Sequence, residues 1–256
     1  MIGEKPSVAQ PSTEEPTTMH LLEHLAELRT RLVRAAFAVM IGMGIGLFMV
    51  LGPLKVVDII IMTFAPLTDR PPVQSVGTAE EFTSYMTVAL AVGLVLAMPV
   101  IVYQLLAFIV PGLTDKERRI IFTAIPFVTL FFIAGLVFGW FITVPTAIRF
   151  LVGFSGSALV ESQPAISDFI STVTTLLVIN GVVFELPVII YVLAFLGVVT
   201  AKQLARYRRF AILGVIVIAA LITPTGDPIN LALLAIPMYF LYELGVIMAR
   251  FVPKRP

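Results

Sequence analysis

Four carboxylates could do chemistry in this chain: Glu27 in "HLAELRTRL" (24–32), Glu117 in "LTDKERR" (113–119), Glu185 in "VFELPV" (183–188) and Glu243 in "YFLYELG" (239–245). The first two lie among cations, Arg29 and Arg31 in one case, Lys116, Arg118 and Arg119 in the other. A carboxylate beside basic groups stays ionised and can take a guest arginine through two parallel hydrogen bonds. Each such bond is worth ~1.5–3 kcal/mol, and lysine cannot reproduce the fork. Glu117 also stands three residues after Thr114, the spacing of a capping box, so it could simply cap a helix. Glu185 and Glu243 sit inside apolar runs, where an ionisable group costs at least ~2.5 kcal/mol and is a functional candidate. For Glu185 the structural alternative is a protonated carboxyl donating to a backbone carbonyl freed by Pro187. Glu243 lies seven residues before Arg250, close enough to an interface to be hydrated.

Other chemistries have little to stand on. The chain has no cysteine, which excludes disulfides and thiolate sites. His20 and His24 lie four apart but have no further His or Cys to complete a metal site, and they read as solvated side chains on an interfacial helix. No spaced Ser/His pair, metal-binding His/Glu motif or intramembrane aspartate pair is present. No catalytic residue, cofactor or metal is expected, and the chain does not read as an enzyme.

These acids must be positioned by membrane helices. Hydrophobic residues make up 59% of the 256-residue chain and charged ones 13%, and mean hydropathy is +1.02. Soluble domains average about 25% charged residues, so this composition is that of a polytopic membrane protein. Net charge is +1, which offers no bulk attraction for nucleic acid. Residues 1–18, rich in Pro, Ser, Thr and Glu, read as a disordered tail. Residues 19–251 form one membrane domain, followed by a short tail at 252–256.

Six runs approach or reach the ~20 residues needed to cross a hydrocarbon core, near 33–51, 82–109, 116–143, 168–196, 207–222 and 228–249. Leu21, Leu25, Leu28 and Leu32 recur at helical spacing just before the first. That stretch should lie on the membrane surface and then turn into the span. Fourteen of the seventeen Lys and Arg residues fall on one side, which makes that side cytoplasmic and puts both termini inside. Capping boxes are expected at Thr78–Glu81, Thr114–Glu117 and Thr200–Gln203, with Asp227 capping a helix that starts at Pro228.

Only 13 uncharged residues, 210–222, separate Arg209 from the "TPTGDP" turn. They rise roughly 20 Å against a ~30 Å core, so the bilayer should thin there or flanking side chains should snorkel. Pro99, Pro126, Pro187 and Pro237 fall inside spans and should bend them. "GMGIG" (42–46) offers small residues at four-residue spacing for close helix packing. "MPVIVYQLLAF" and "LPVIIYVLAF" resemble each other, but proline followed by β-branched residues is common enough in membrane helices for chance to explain it.

Four motifs in order, "HLAELRTRL" (24–32), "PVIVYQLLAFIVPGLTDKERR" (99–119), "FELPV" (184–188) and "LITPTGDPINLALLAIPMY" (221–239), make the chain resemble TatC, the polytopic subunit of the twin-arginine protein translocase. The resemblance covers about His20 to Phe251. It implies an all-α integral membrane protein of six transmembrane helices with a concave body and short fifth and sixth helices, in the bacterial cytoplasmic (inner) membrane. It implies a receptor for the twin-arginine signal peptides of folded precursors, driven by the proton-motive force without a nucleotide. It implies partners too: TatA-like and TatB-like single-span subunits near the fifth and sixth spans, and self-association. Carried over by motif, Glu27 and Glu117 would form the recognition site with Arg29 and Phe108 as neighbours. Glu185 would face the concave side, and Pro66 matches an outer-loop proline at which changes impair family members. The "TPTGDP" turn departs slightly from the pattern, so Asp227 receives no role beyond capping. The alternative from a different class is a proton-coupled secondary transporter of small solutes, with Glu185 as its site.

Overall fold

Between Pro16 and Gly42 the chain has no glycine or proline to stop a helix, and helix α1 runs unbroken over Pro16–Leu51. This is seen in a computed structural model that describes residues 16–67, 73–75, 77–109, 115–153, 164–222 and 228–252. The expected turn at the membrane surface is absent: the amphipathic stretch is the lower part of one 36-residue rod. At 1.5 Å per residue that rod is ~54 Å long, well beyond one hydrocarbon core. Most of the tail read as disordered lies outside the described residues.

The helices follow in order as α2 (Val56–Phe64), α3 (Glu80–Ile109), α4 (Asp115–Phe138), α5 (Val144–Gly153), α6 (Ile166–Phe184), α7 (Leu186–Phe195), α8 (Ala201–Arg206), α9 (Arg208–Ile222) and α10 (Pro228–Arg250). Among the described residues, five helical segments are long and apolar enough to cross a membrane: α1, α3, α4 continued into α5, α6 continued into α7, and α10. Helix α9, with 15 residues, is the short sixth crossing. The shortness expected of both last helices belongs to α9 alone, because α10 has 23 residues and rises ~34 Å.

Helix α2 was not foreseen. Its nine residues, "VVDIIIMTF", are too few to span and follow a Gly-Pro turn. It buries Val57, Ile60 and Phe64 in the main core with Val144, Phe169 and Ile170. The Phe64 and Trp140 rings lie 4.8 Å apart. Gln74 pairs with the chain just before α6, its carbonyl accepting from the Ile166 amide at 2.8 Å. The end of the bundle opposite the α1 start is thus tied together by short elements and not by spans.

The third crossing is longer than the charge pattern suggested. It passes through a π-helical turn, Gly139–Thr143, and continues as α5 past Arg149. In the turn, Thr143 donates to Asn180 Oδ1 at 3.2 Å, and the Asn180 amide donates to the Leu176 carbonyl at 2.7 Å. Both side chains are buried, so each has the polar partner that burial demands. The fourth crossing breaks at Glu185, between α6 and α7, with Pro187 in the first turn of α7. Pro99, Pro126 and Pro237 lie inside continuous helices. The two similar segments meet in space: Val102 and Leu106 of α3 pack with Val188 and Val192 of α7 around Val128.

Of the expected capping boxes, Thr200–Gln203 is complete, each side chain taking the other's backbone N–H. Helix α3 opens at Glu80, and its first bond runs from the Thr83 amide to the Ala79 carbonyl. Ala79, not Thr78, is therefore the capping position. Thr114 and Asp227 lie outside the described residues.

Helix α1 packs along α3 through the glycines of "GMGIG". A Cβ built on Gly93 would fall 2.6 Å from the Met43 Cα and 2.8 Å from the Gly42 carbonyl carbon. Gly44, one step round the same helix, has nothing within 4 Å. Adding a methyl where two backbones touch forces them apart, at about 1–3 kcal/mol or more. Gly93→Ala should therefore lower the melting midpoint of the purified protein by several degrees, while Gly44→Ala leaves it unchanged. Equal midpoints for the two variants would contradict this packing.

Candidate functional site

The geometry of the α1–α3 pair determines what meets at its lower end. Gly42 faces Gly93, and Gly46 faces Ala89, so each step up α1 is a step back along α3. Both helices continue in the other direction, α1 to Pro16 and α3 to Ile109. Fifteen residues before Gly42 stands Glu27, and fifteen beyond Gly93 stands Phe108. Counted from that contact, Glu27 and Phe108 stand the same number of residues toward this end of the pair, although they are 81 positions apart in sequence.

Around Glu27 the helix surface forms a shallow cavity of about 340 Å³, lined by Ala26, Glu27, Thr30, Arg31 and Arg34. The partner of Glu27 is Arg31, one turn on. Its Nε donates to Oε1 at 2.9 Å, and its Nη2 donates to the same oxygen. Both nitrogens converge on one carboxylate oxygen, and Arg31 leaves Oε2 untouched. Thr30 turns its hydroxyl back to the Ala26 carbonyl at 2.9 Å, so it does not compete. Arg29 is exposed and lies about 200° round the helix from Glu27. It is a neighbour in sequence, on another face.

Phe108 is half-buried in the last turn of α3, next to the buried Leu106 and Ala107. The Tyr103 and Phe122 rings lie 5.5 Å apart and hold the end of α3 against the start of α4. Glu117 belongs to the first turn of α4, and its side chain lies outside the described residues. One polar group here escaped sequence reading. Gln104, a turn before Phe108, has its Oε1 buried with no hydrogen-bond partner among the described residues. The available signal was an amide inside "VYQLLAF", a run with no other strongly polar side chain.

The two acids in the spans turn out differently. Glu185 is 4% exposed, and its Oε1 has no hydrogen-bond partner among the described residues. That oxygen does not make the expected bond to a carbonyl freed by Pro187. Glu243 is neutralised across helices: Arg208 Nε meets Oε1 at 2.8 Å and Nη2 donates to Oε2 at 2.9 Å. Tyr239 adds its hydroxyl to Oε1 at 3.0 Å. This two-pronged pair clamps the start of α9 to α10. Glu243 is thus a structural tie, partly exposed beside the exposed Arg208, as its closeness to the interface suggested. Pro66 is exposed in the 3₁₀ turn Ala65–Leu67 that follows α2, at the opposite end of the molecule from Glu27.

Fold and site together define a multi-pass α-helical membrane protein with a charged rim at one end and a buried carboxyl in its fourth crossing. A family model described as Sec-independent protein translocase protein (TatC) matches residues 23–237. The chain belongs to the TatC family of Sec-independent protein translocase subunits. It is 39% identical to the TatC protein of Deinococcus radiodurans, over 95% of this chain and 90% of that one. It is 34% identical to the TatC protein of Aquifex aeolicus, over 93% and 97%. A crystal structure of the twin-arginine translocase receptor TatC superposes with a TM-score of 0.78 at 33% identity, covering 90% of this chain and 100% of that one. None of these relatives is a solute transporter, so the alternative built on Glu185 gains no support.

Proposed function

We propose that this translocase subunit is the receptor for twin-arginine signal peptides, with Glu27, Phe108 and Glu117 as the recognition rim. The observation that supports the reading is the carboxylate of Glu27, which Arg31 engages through one oxygen alone. An ion pair between residues one helical turn apart on a helix surface is worth only ~0.3–0.5 kcal/mol, whereas a charge-assisted hydrogen bond from a guest guanidinium is worth ~1.5–3 kcal/mol. Arg31 therefore holds the Glu27 carboxylate in place without blocking a guest. Phe108 supplies an apolar surface beside it for the residues flanking the arginines. Arg29, on another face of α1, contacts the remainder of the precursor. The rim is a binding surface, not a catalytic one.

The excess of Lys and Arg on this side makes it cytoplasmic, with both termini inside, in the inner membrane. Single-span TatA-like and TatB-like partners, and further copies of the chain, have a surface to meet in α9. Leu213, Val217 and Leu221 of that helix are among its exposed apolar side chains, while Val215 and Ala219 are its buried ones. Glu185 and Pro66 act after peptide capture, in transport driven by the proton-motive force.

The test is crosslinking to a photoreactive twin-arginine peptide, beside its twin-lysine version, in membranes containing the protein. The twin-arginine peptide should label the α1 and α4 rim, and the twin-lysine peptide should label it at least about tenfold less. Equal labelling by both, or none by either, rules out the receptor reading.

A further inference from the structure

A second cavity opens at the same end of the bundle, away from Glu27, where α7 stops, α8 begins and α10 finishes. It measures about 700 Å³. Its floor is apolar, made by Ala194, Phe195, Val199, Ala249 and Val252, and its charged side chains are Lys202 and Arg250. No acid lines it. The one acid of α10, Glu243, is already engaged by Arg208 and Tyr239. Lys202 and Arg250 are exposed, and neither has an ion-pair partner among the described residues. The sequence adds Lys254 and Arg255 just beyond.

Two uncompensated cations over an apolar floor, at the level where a spanning helix leaves the bilayer, form a surface for a ligand that is anionic at one end and greasy at the other. We propose that this cavity binds one anionic phospholipid, its phosphate between Lys202 and Arg250 and an acyl chain along the floor. Basic recesses between spanning helices are suited to such headgroups. A free anion would leave the apolar floor unused. A zwitterionic lipid would bring its own cation against two others. Ile247, exposed one turn before Arg250 on α10, continues the apolar path toward the bilayer for the chain. The site shares no residue with the Glu27 rim, so it stands whether or not the receptor reading does.

The test is lipid retention by the purified full-length protein in detergent, read by native mass spectrometry. The probes are dioleoyl-phosphatidylglycerol, dioleoyl-phosphatidylcholine and inorganic phosphate. The wild type should retain phosphatidylglycerol over phosphatidylcholine. The double variant Lys202→Gln/Arg250→Gln should lose that retention by about tenfold or more. A charge-matched control, Lys55→Gln/Arg149→Gln, should behave as wild type. If the double variant melts early, Lys202→Glu alone, an exposed change, carries the same expectation. Unchanged retention in the cavity variants overturns the proposal, as does equal loss in the control. Equal retention of phosphatidylcholine, or displacement of the lipid by millimolar phosphate, also overturns it, the latter by making the occupant a free anion.

Discussion

Replacing Glu117 by Gln is expected to weaken binding of a twin-arginine peptide about 10- to 100-fold and to erase its advantage over the twin-lysine form. The range follows from the loss of one charge-assisted hydrogen bond of ~1.5–3 kcal/mol, at 1.4 kcal/mol for each tenfold. Glutamine is the informative replacement because it retains the helix-capping geometry and removes only the charge. Loss of a negative charge from the first turn of α4 disturbs the helix dipole by ~0.3–1 kcal/mol, so the protein should still fold with a nearly unchanged melting midpoint. Discrimination should collapse because the lysine ammonium is a point charge, while the guanidinium gains from a planar, doubly accepting partner. Titration of both peptides against wild type and variant reads this directly. If Glu117→Gln still prefers the twin-arginine peptide by the wild-type factor, Glu117 caps α4 and does nothing more.

Glu27 should respond differently from Glu117, because it already has a resident arginine. Removing Arg31 frees both oxygens of Glu27 but also removes the group that aims them. The two acids of the rim thus do different work: one is oriented in advance by its own helix, the other stands at a helix start where backbone amides are unpaired.

The places where sequence reading succeeded and failed have physical causes. The six crossings were legible because a hydrocarbon core imposes a length and excludes charge, and α3 and α10 end within a few residues of where the charges resume. The helix α2 was missed because nine apolar residues are too few for the same rule, and what makes them helical is burial against α5 and α6. The end of the third crossing was read ten residues short, since Arg149 looked like the membrane boundary when the helix simply continues beyond it. The sequence set Glu243 apart from Glu185 by its closeness to Arg250, but not by its partner. Both are lone acids in apolar runs, and only the tertiary packing supplies Arg208 to one and leaves an oxygen of the other bare. The pairing of α1 with α3 is likewise set by glycines whose contact partners, Gly93 and Ala89, lie far off in sequence.

Lengthening α9 is expected to impair transport while leaving peptide capture intact. The helix has 15 residues and rises ~22 Å, against a hydrocarbon core of ~30 Å. Its start is anchored twice to α10: Arg208 is clamped to Glu243, and just before α9 the Tyr242 hydroxyl donates to the Leu204 carbonyl at 2.8 Å. With that end held, the mismatch must be met by the bilayer, which thins locally at a fraction of a kcal/mol per Å. The outward face of α9, including Leu221 at 82% exposure, is open to lipid wherever no partner covers it, so any thinning is transmitted to the surrounding membrane. Inserting four leucines after Val217 adds ~6 Å and slightly more than one turn, which nearly preserves the facing of Val215 and Ala219 while removing most of the mismatch. Export of a twin-arginine precursor should fall severalfold, and crosslinking of the twin-arginine peptide should stay at the wild-type level because the rim of α1 and α4 is untouched. Replacing Val217 and Ile218 by leucine without insertion changes composition but not length, and should leave export unaltered. If the lengthened protein exports at the wild-type rate, the short helix is an accident of packing and membrane thinning has no part in passage of the cargo.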